Sequence, residues 1–234
     1  MTNPFSRLLP DGSLVVSCQA SGTNPLRDSG VMALMARCAE EGGAAGIRAN
    51  GPDDVAAIAA AVSLPVIGIH KLGDPAGVYI TPTVEAAIGV IDAGAAIVAL
   101  DGTERPRDGG VTLAEQIAGI RRYRDVPVMA DVDSLEAGLR ARDAGADAIA
   151  TTLSGYTGAR VHDGVDIELI AALASELDCP VVAEGRLRTD DDVARARRAG
   201  ASVLVIGTAI TNPVAITRAF VRALGDVRVE QARA

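Results

Sequence analysis

The chain has 234 residues, 49% of them hydrophobic, and a mean hydropathy of +0.26; it is long enough for one large domain or two small ones and too apolar for disorder. A net charge of −8, a pI near 4.8 and 2% aromatic residues exclude a phosphate-backbone footprint and a base-stacking surface, so no nucleic-acid partner is expected, although a local basic pocket for a small anion stays open. No apolar run approaches the ~18 residues of a membrane span and no signal peptide is visible, and Cys18, Cys38 and Cys179 match no disulfide framework or metal motif, which points to a reducing, cytoplasmic setting without a membrane partner.

From the N-terminus, the first element is the apolar run "SLVVSCQA", with a strand core at 14–18. Two phrases then alternate strictly. One closes a helix-like segment on small residues and passes into an apolar run: "EEGGAAGIRAN", "DAGAAIVALDG", "DAGADAIATTL" and "RAGASVLVIGT". The other is "LPVIGIHK", "VPVMADV" and "CPVVAEG". They predict further strands at 45–48, 66–69, 97–100, 128–130, 148–151, 181–183 and 203–206. The segments between have helical spacing. "SLEAGLRARDAG" sets Leu135, Leu139 and Ala144 on one face. "TDDDVARARRAG" offers Thr189 as N-cap, acids in the first turn, and Arg195, Arg197 and Arg198 as a solvated face near the C-terminal end of the dipole. Gly43, Gly94, Gly145 and Gly200 stand where helix C-caps are expected.

Eight strands, each followed by a helix, predict an α/β chain folded as a (β/α)8 TIM barrel. The expectation is a single domain over 1–234, with the barrel at about 12–225 and a short tail after it. A doubly wound open sheet explains the alternation but not the number of units, and no Gly-x-Gly-x-x-Gly turn follows the first strand.

In such a barrel the residues just after the strands gather at one mouth, where active sites form. Here they are Gln19, Arg48, Lys71, Asp101, Asp131, Thr152, Glu184 and Gly207, seven of the eight polar or charged. Lys71, partly desolvated there, suits proton transfer or Schiff-base chemistry; the plainer reading is a structural lysine paired with Asp101 or Asp131, and Asp131 is placed to orient it. Glu184 reads as a second proton carrier or as the partner of Arg48 or Arg186. "AEGRLRTDDD" and "VIGTAITNP" put glycine at strand ends in the units that usually cradle phosphate, so Gly185, Arg186, Gly207 and Thr208 are candidates for an anion. In "TTLSGYTG", Thr152 and Ser154 are hydrogen-bond donors and Tyr156 can close over a ligand; the alternative is an ordinary polar loop. Cys18 is expected to be a buried thiol, and His70 to point away from the side that Lys71 takes. His162, in "GARVHDGVD", is expected to be exposed.

The phrases "LVVSCQA", "GGAAGIRAN", "LPVIGIHK", "YITPT", "ALDGTERPR", "MADVDSLEAG", "TTLSGYT", "VVAEGRLRT" and "IGTAITNP" occur in that order over residues 14 to about 213. Together they resemble the N-acetylmannosamine-6-phosphate 2-epimerase family. The resemblance implies a (β/α)8 barrel, an isomerase that interconverts N-acetylmannosamine 6-phosphate and N-acetylglucosamine 6-phosphate in amino-sugar and sialic acid catabolism, and no metal or nucleotide cofactor. It implies that Lys71 is the proton-transfer residue and Glu184 its partner acid/base. Gln19, Arg48 and Asp131 then hold the substrate and the lysine, and the glycine-bearing phrases of strands 7 and 8 hold phosphate. The family commonly has arginine where Asn212 stands, a basic residue where Leu72 stands and an apolar one in place of His70. The expected partner is an N-acetylated hexosamine 6-phosphate, and Ala-rich outer helices allow a homodimer. Two other readings stay in view: a lysine Schiff-base aldolase acting on a sugar phosphate, and a non-catalytic sugar-phosphate sensor, which Asn212 keeps alive.

Overall fold

The computed structural model describes residues 3–20, 22–157 and 163–233, so the expectation for His162 falls outside the described residues. Eight parallel strands pair in chain order and β8 returns to β1, closing a barrel. They are β1 (Ser13–Cys18), β2 (Gly46–Asn50), β3 (Val66–Ile69), β4 (Ile97–Asp101), β5 (Val128–Asp131), β6 (Ala148–Ala150), β7 (Val181–Glu184) and β8 (Val203–Ile206). Helices alternate with them: α2 (Ser29–Glu41), α3 (Pro52–Ala61), α4 (Val84–Asp92), α5 (Leu113–Tyr123), α6 (Leu135–Asp143), α7 (Ile167–Glu176) and α8 (Asp190–Arg198), then α9 (Thr208–Thr211) and α10 (Pro213–Arg233) after β8. This is the (β/α)8 barrel expected from the two alternating phrases.

The apolar strands serve two faces at once. Val15, Ile67, Ile97, Met129 and Val203 fill the barrel interior, while their neighbours Val16, Val66, Val98, Val128 and Leu204 meet the helices. Continued one or two steps past the apolar layers, the inward parity reaches Ser17 and Gln19 on the β1 side, Lys71 after β3, Asp101, Asp131, Glu184 and Gly207. The repeated small-residue phrase has a conformational cause. Gly43, Gly94, Gly145 and Gly200 all have φ between 88° and 107°, and after each the next alanine donates back to the last full turn, as in Ala95 N to Val90 O at 3.0 Å.

Two features were not expected from the sequence. A short helix, α1 (Pro4–Leu8), plugs the floor of the barrel. Asn3 caps it, and its Nδ2 donates to the Asp147 carbonyl at 2.9 Å. Phe5 and Leu9 are buried among the inward residues, and a side chain at Gly46 would meet Leu9 Cδ2 at 2.9 Å. On α6 the fully buried stripe is Ala137, Gly138 and Ala141, while Leu135 and Ala144 of the expected face pack, partly buried, against the same core. A Cβ at Gly138 would fall 2.3 Å from Leu173 Cδ2; the helix packs too close for leucine on that face, so the leucines flank it. Thr189 caps α8 as expected, with Asp192 completing a capping box. Of the three arginines at the end of α8, Arg197 is more than a solvated charge: it pairs with Asp11 and donates to the Ala201 and Ser202 carbonyls. The last helix runs on to Arg233, through the residues expected as a tail, and exposes Phe220, Val221 and Leu224.

The β3–β4 ladder has only two registered pairs, Ile67 with Ile97 and Gly68 with Val98. Beyond them the chain after β3 folds back as a hairpin, with an antiparallel bridge from Lys71 to Ile80. Its returning arm wedges between the strands. Thr81 N donates to His70 O at 2.8 Å and Asp101 N to Ile80 O at 2.9 Å. Thr81 is fully buried with φ 47°, a region a β-branched residue enters only under constraint. The constraint is visible: Thr81 Oγ1 donates to Ala99 O at 2.7 Å and accepts from His70 N at 3.0 Å, and its carbonyl accepts from Gln116 Nε2 at 2.8 Å. Thr81→Val keeps the shape but strips the hydroxyl from two buried backbone groups. It is expected to cost about 1–3 kcal/mol, seen as a lower melting temperature, while Thr81→Ser stays near wild type. Equal melting of the two variants would reject this account.

Candidate active site

The mouth holds a cavity of ≈ 380 Å³. Its most buried polar side chain is Arg48, 1% exposed although it sits inside β2. The guanidinium makes a two-point contact with Asp131, Nη2 to Oδ2 at 2.6 Å and Nη1 to Oδ1 at 3.2 Å. It also forms an ion pair with Glu184 and donates to Thr152 Oγ1 at 3.3 Å. Thr152 in turn donates to Asp131 Oδ1 at 2.6 Å. Burial works against the Arg48 charge, but the Asp131 and Glu184 carboxylates outweigh it and hold its pKa above the ordinary arginine value. Arg48 Nε–H donates to no group among the described residues.

Lys71 stands on the same wall. Its Nζ donates to Gln19 Oε1 at 2.9 Å, and Gln19 Nε2 donates to Ser17 Oγ at 2.7 Å. Its backbone N–H is held by Asn50 Oδ1 at 2.9 Å. Solvent in the mouth reaches the side chain, yet the surrounding protein lowers its pKa below 10.5. Burial is the main cause and the Arg48 charge adds to it, against the pull of Glu184 and Asp131. Glu184 moves the other way: burial raises its pKa and the Asp131 charge assists, against Arg48, Lys71 and Thr152. An amine and a carboxyl group have thus been brought toward each other on the pH scale at one opening, as acid–base chemistry near neutral pH requires.

The cavity also has a cationic end. Gly185 has φ 108° and Arg186 φ 58°. The Arg186 guanidinium stacks on Tyr156 at 4.1 Å from the ring centroid and donates to Ser154 O at 2.9 Å and Gly155 O at 3.3 Å. Arg188, Gly207, Thr208 and Asn212 complete the lining. Among the described residues no group of three or more His, Cys, Asp or Glu is arranged to hold a metal.

A family model described as "Putative N-acetylmannosamine-6-phosphate epimerase" matches residues 32–226. The chain belongs to this family. A protein of Cutibacterium acnes with the corresponding 2-epimerase name is 53% identical over 216 residues, 91% of this chain and 94% of that one. One of Caldanaerobacter subterraneus is 45% identical over 227 residues, 96% of each chain. The solved structure of the N-acetylmannosamine-6-phosphate 2-epimerase from Clostridium perfringens superposes with a TM-score of 0.89 at 36% identity, covering 95% of this chain and 97% of that one.

Most of the family-like residues converge. Gln19, Arg48, Lys71, Thr152, Glu184, Gly185, Arg186, Gly207 and Thr208 all line the cavity. Asp131 lies beneath it, fully buried, and holds Arg48 and Thr152 rather than orienting Lys71. Asp101 is no partner of Lys71 either; Arg105 and Thr103 engage its carboxylate. Ser154 is a correction. Its hydroxyl donates to Asp166 Oδ2 at 2.6 Å and it is 4% exposed, outside the cavity lining. The turn that carries it, closed by Ser154 N to Thr151 O at 3.1 Å, rolls the side chain toward the N-cap of α7. Cys18 is the buried thiol expected, its pKa pushed up to about 12 chiefly by burial.

The sequence reading missed Ser17, Tyr79 and Arg188, which also line the cavity. Ser17 was accessible from parity, two residues before Gln19. A stronger signal was also overlooked. Of 22 lysines and arginines, Lys71 is the only lysine. Every other lysine-or-arginine position, including Arg48, Arg186 and Arg188 in the mouth, uses arginine, which cannot give up its proton; position 71 alone keeps the amine that can.

Proposed function

We propose that this chain is an isomerase that interconverts N-acetylmannosamine 6-phosphate and N-acetylglucosamine 6-phosphate by removing and returning the proton on C2. The observation that carries the reading is the sole lysine, with a lowered pKa, in a mouth shared with a carboxyl group whose pKa is raised. The C2 hydrogen is acidic only beside a carbonyl, so the sugar reacts as its open-chain aldehyde. Glu184 in its protonated form assists ring opening. Neutral Lys71 takes the C2 proton, the electron pair passes to O1, and Arg48 faces the charge that develops there, with its Nε–H available to a ligand oxygen. Return of a proton to the other face inverts C2. Gln19 orients the amine, and Asp131 and Thr152 orient Arg48. Gly185, Arg186, Gly207 and Thr208 receive the phosphate, and Arg188 adds a second guanidinium to that end.

Proton NMR in D2O with N-acetylmannosamine 6-phosphate tests this directly. Loss of the C2 proton signal together with appearance of the gluco product is expected; neither event occurring would end the epimerase reading and favour a sensor. A borohydride-trapped adduct on Lys71 would favour an aldolase instead. The unphosphorylated sugar is expected to react far more slowly if the cationic end binds phosphate. The reading treats residues 1–234 as one domain working in the cytoplasm. It adds a second copy of the chain as partner through the exposed apolar residues of α10, which light scattering would refute by returning a monomer. No helix among the described residues is long and apolar enough to cross a membrane.

A further inference from the structure

The hairpin between β3 and α4, residues 72–81, frames one side of the mouth. Lys71 leads into it, bridged to Ile80, and Leu72 N donates to Tyr79 O at 2.9 Å. The Tyr79 side chain lines the cavity. The tip turns on Asp74, whose backbone carbonyl accepts from Gly77 N at 3.0 Å and whose Oδ1 accepts from Ala76 N at 2.9 Å. A hairpin of this size has little stability of its own, so something must hold its tip to the barrel.

That something is Arg105, which does not line the cavity. Its Nη1 donates to the carbonyls of Pro75 and Ala76 at 3.1 and 3.3 Å, its Nη2 to Asp101 Oδ2 at 2.6 Å, and its Nε to Thr103 Oγ1 at 3.0 Å. The Asp101 carboxylate has no exposed surface, and Thr103 N and Oγ1 fix its other oxygen at 3.0 and 2.6 Å. The same residue reaches the hairpin base through Asp101 N to Ile80 O. Arg107 braces the rear, donating to the Asp101 carbonyl and to Gln116, which in turn bonds Thr81. Base and tip are therefore both tied to Asp101, the base through its backbone N–H and the tip through its buried carboxylate, and a planar fork with donors in three directions closes the second tie.

We infer that Arg105 is a positioning residue for the Lys71 reaction, clasping the hairpin tip to Asp101 so that Lys71 and Tyr79 keep their places in the mouth; this rests on the reading of Lys71 as the proton-transfer group. The groups that act on that amine are Gln19 beyond β1, Arg48 on β2, Asp131 on β5 and Glu184 on β7, while Tyr79 on the hairpin lines the same cavity. Releasing the hairpin leaves those four on the barrel, displaces Tyr79 and admits water on one side of Lys71. The amine then loses part of the burial that lowers its pKa, and its approach to C2 loosens. Misplacement on the scale of an ångström costs up to about a hundredfold in rate.

Because Lys71 is the sole lysine, protein labelled with ¹³C at lysine Cε gives one side-chain resonance to titrate. In Arg105→Ala that titration is expected to move up toward an ordinary amine. The kcat of C2 exchange should fall about tenfold or more, with KM changed by less than about threefold. Arg105→Gln, which keeps an amide donor, should lie between Arg105→Ala and wild type and replaces the alanine variant if that one fails to fold. Arg121→Ala, which removes an ion pair with Asp147 at the floor end, should behave as wild type. A wild-type Lys71 titration in the Arg105 variants, or unchanged kcat, would overturn the inference. If wild-type protein shows no C2 exchange, the epimerase reading fails on its own, and the titration still decides whether the clasp sets the amine.

Discussion

Lys71→Arg is expected to lower turnover by about 10²–10⁴-fold, or about 3–5 kcal/mol of transition-state stabilisation, with a much smaller change in KM. The substitution is chosen because it preserves what a structural lysine would provide. A guanidinium keeps the positive charge and can still donate to Gln19 Oε1. It cannot become neutral at any pH the protein survives, so it cannot accept the C2 proton. Substrate consumption and C2 deuterium exchange, measured side by side, separate the two roles. A Lys71→Arg enzyme within tenfold of wild type would mean that the amine serves as a charge and not as a base.

The same assignment dictates a pH profile. The reactive form has Lys71 neutral and Glu184 protonated, so the pair together carries one ionisable proton. At low pH both groups are protonated and no base is present; at high pH both have lost their protons and no acid is present. The profile of kcat/KM is therefore bell-shaped, with limbs that belong to the pair. Because burial lowers the pKa of Lys71 and raises that of Glu184, the population of the reactive form is larger than unperturbed groups would allow. Removing Lys71 should abolish the limb that reports the amine, and a bell unchanged in Lys71→Arg would count against the pairing.

The second large effect is on stability. Arg48→Met is expected to destabilise the protein by about 3–5 kcal/mol at neutral pH, the range for breaking a buried ion pair from one side. Methionine fills much of the space, but Asp131, with no exposed surface, and Glu184, at 15%, lose their shared cation. Two neighbouring buried carboxylates cannot both stay ionised without it, so at least one holds its proton to higher pH in the folded than in the unfolded chain. A group whose folded pKa is raised stabilises the fold below its unfolded pKa, and that contribution disappears as the pH rises through the folded value. The deficit of Arg48→Met relative to wild type should therefore be smaller at pH 5 than at pH 8 in denaturant unfolding. A deficit independent of pH would show that lost packing, and not the stranded charges, dominates.

Much of the architecture could be read before any coordinates, because it depends on local rules. A parallel strand buried on both faces must be short and apolar, and a helix that ends only four residues before such a strand needs a glycine able to hold φ near 100°. "DAGAAIVALDG" and its three relatives write both requirements into the chain. The polar residues that follow could be assigned to one mouth by counting units, so Gln19, Arg48, Lys71, Thr152 and Glu184 were legible as neighbours although up to 165 positions separate them. The singular lysine was legible as well, from composition alone.

What only tertiary structure decided is which groups touch and where each side chain ends up. Polarity at a strand end says that a residue reaches the mouth, but not that Asp131 would face Arg48 while Lys71 turned to Gln19; that depends on barrel register and on a hairpin inserted between β3 and β4, held by a strained Thr81. Ser154 sits in the expected loop and yet points at Asp166, since the direction of a turn residue follows from the turn's own hydrogen bonds. Local periodicity fixes elements and their order over a few residues. Charge partners and pKa values arise from distances between elements far apart in the chain, and those distances exist only once the barrel has closed.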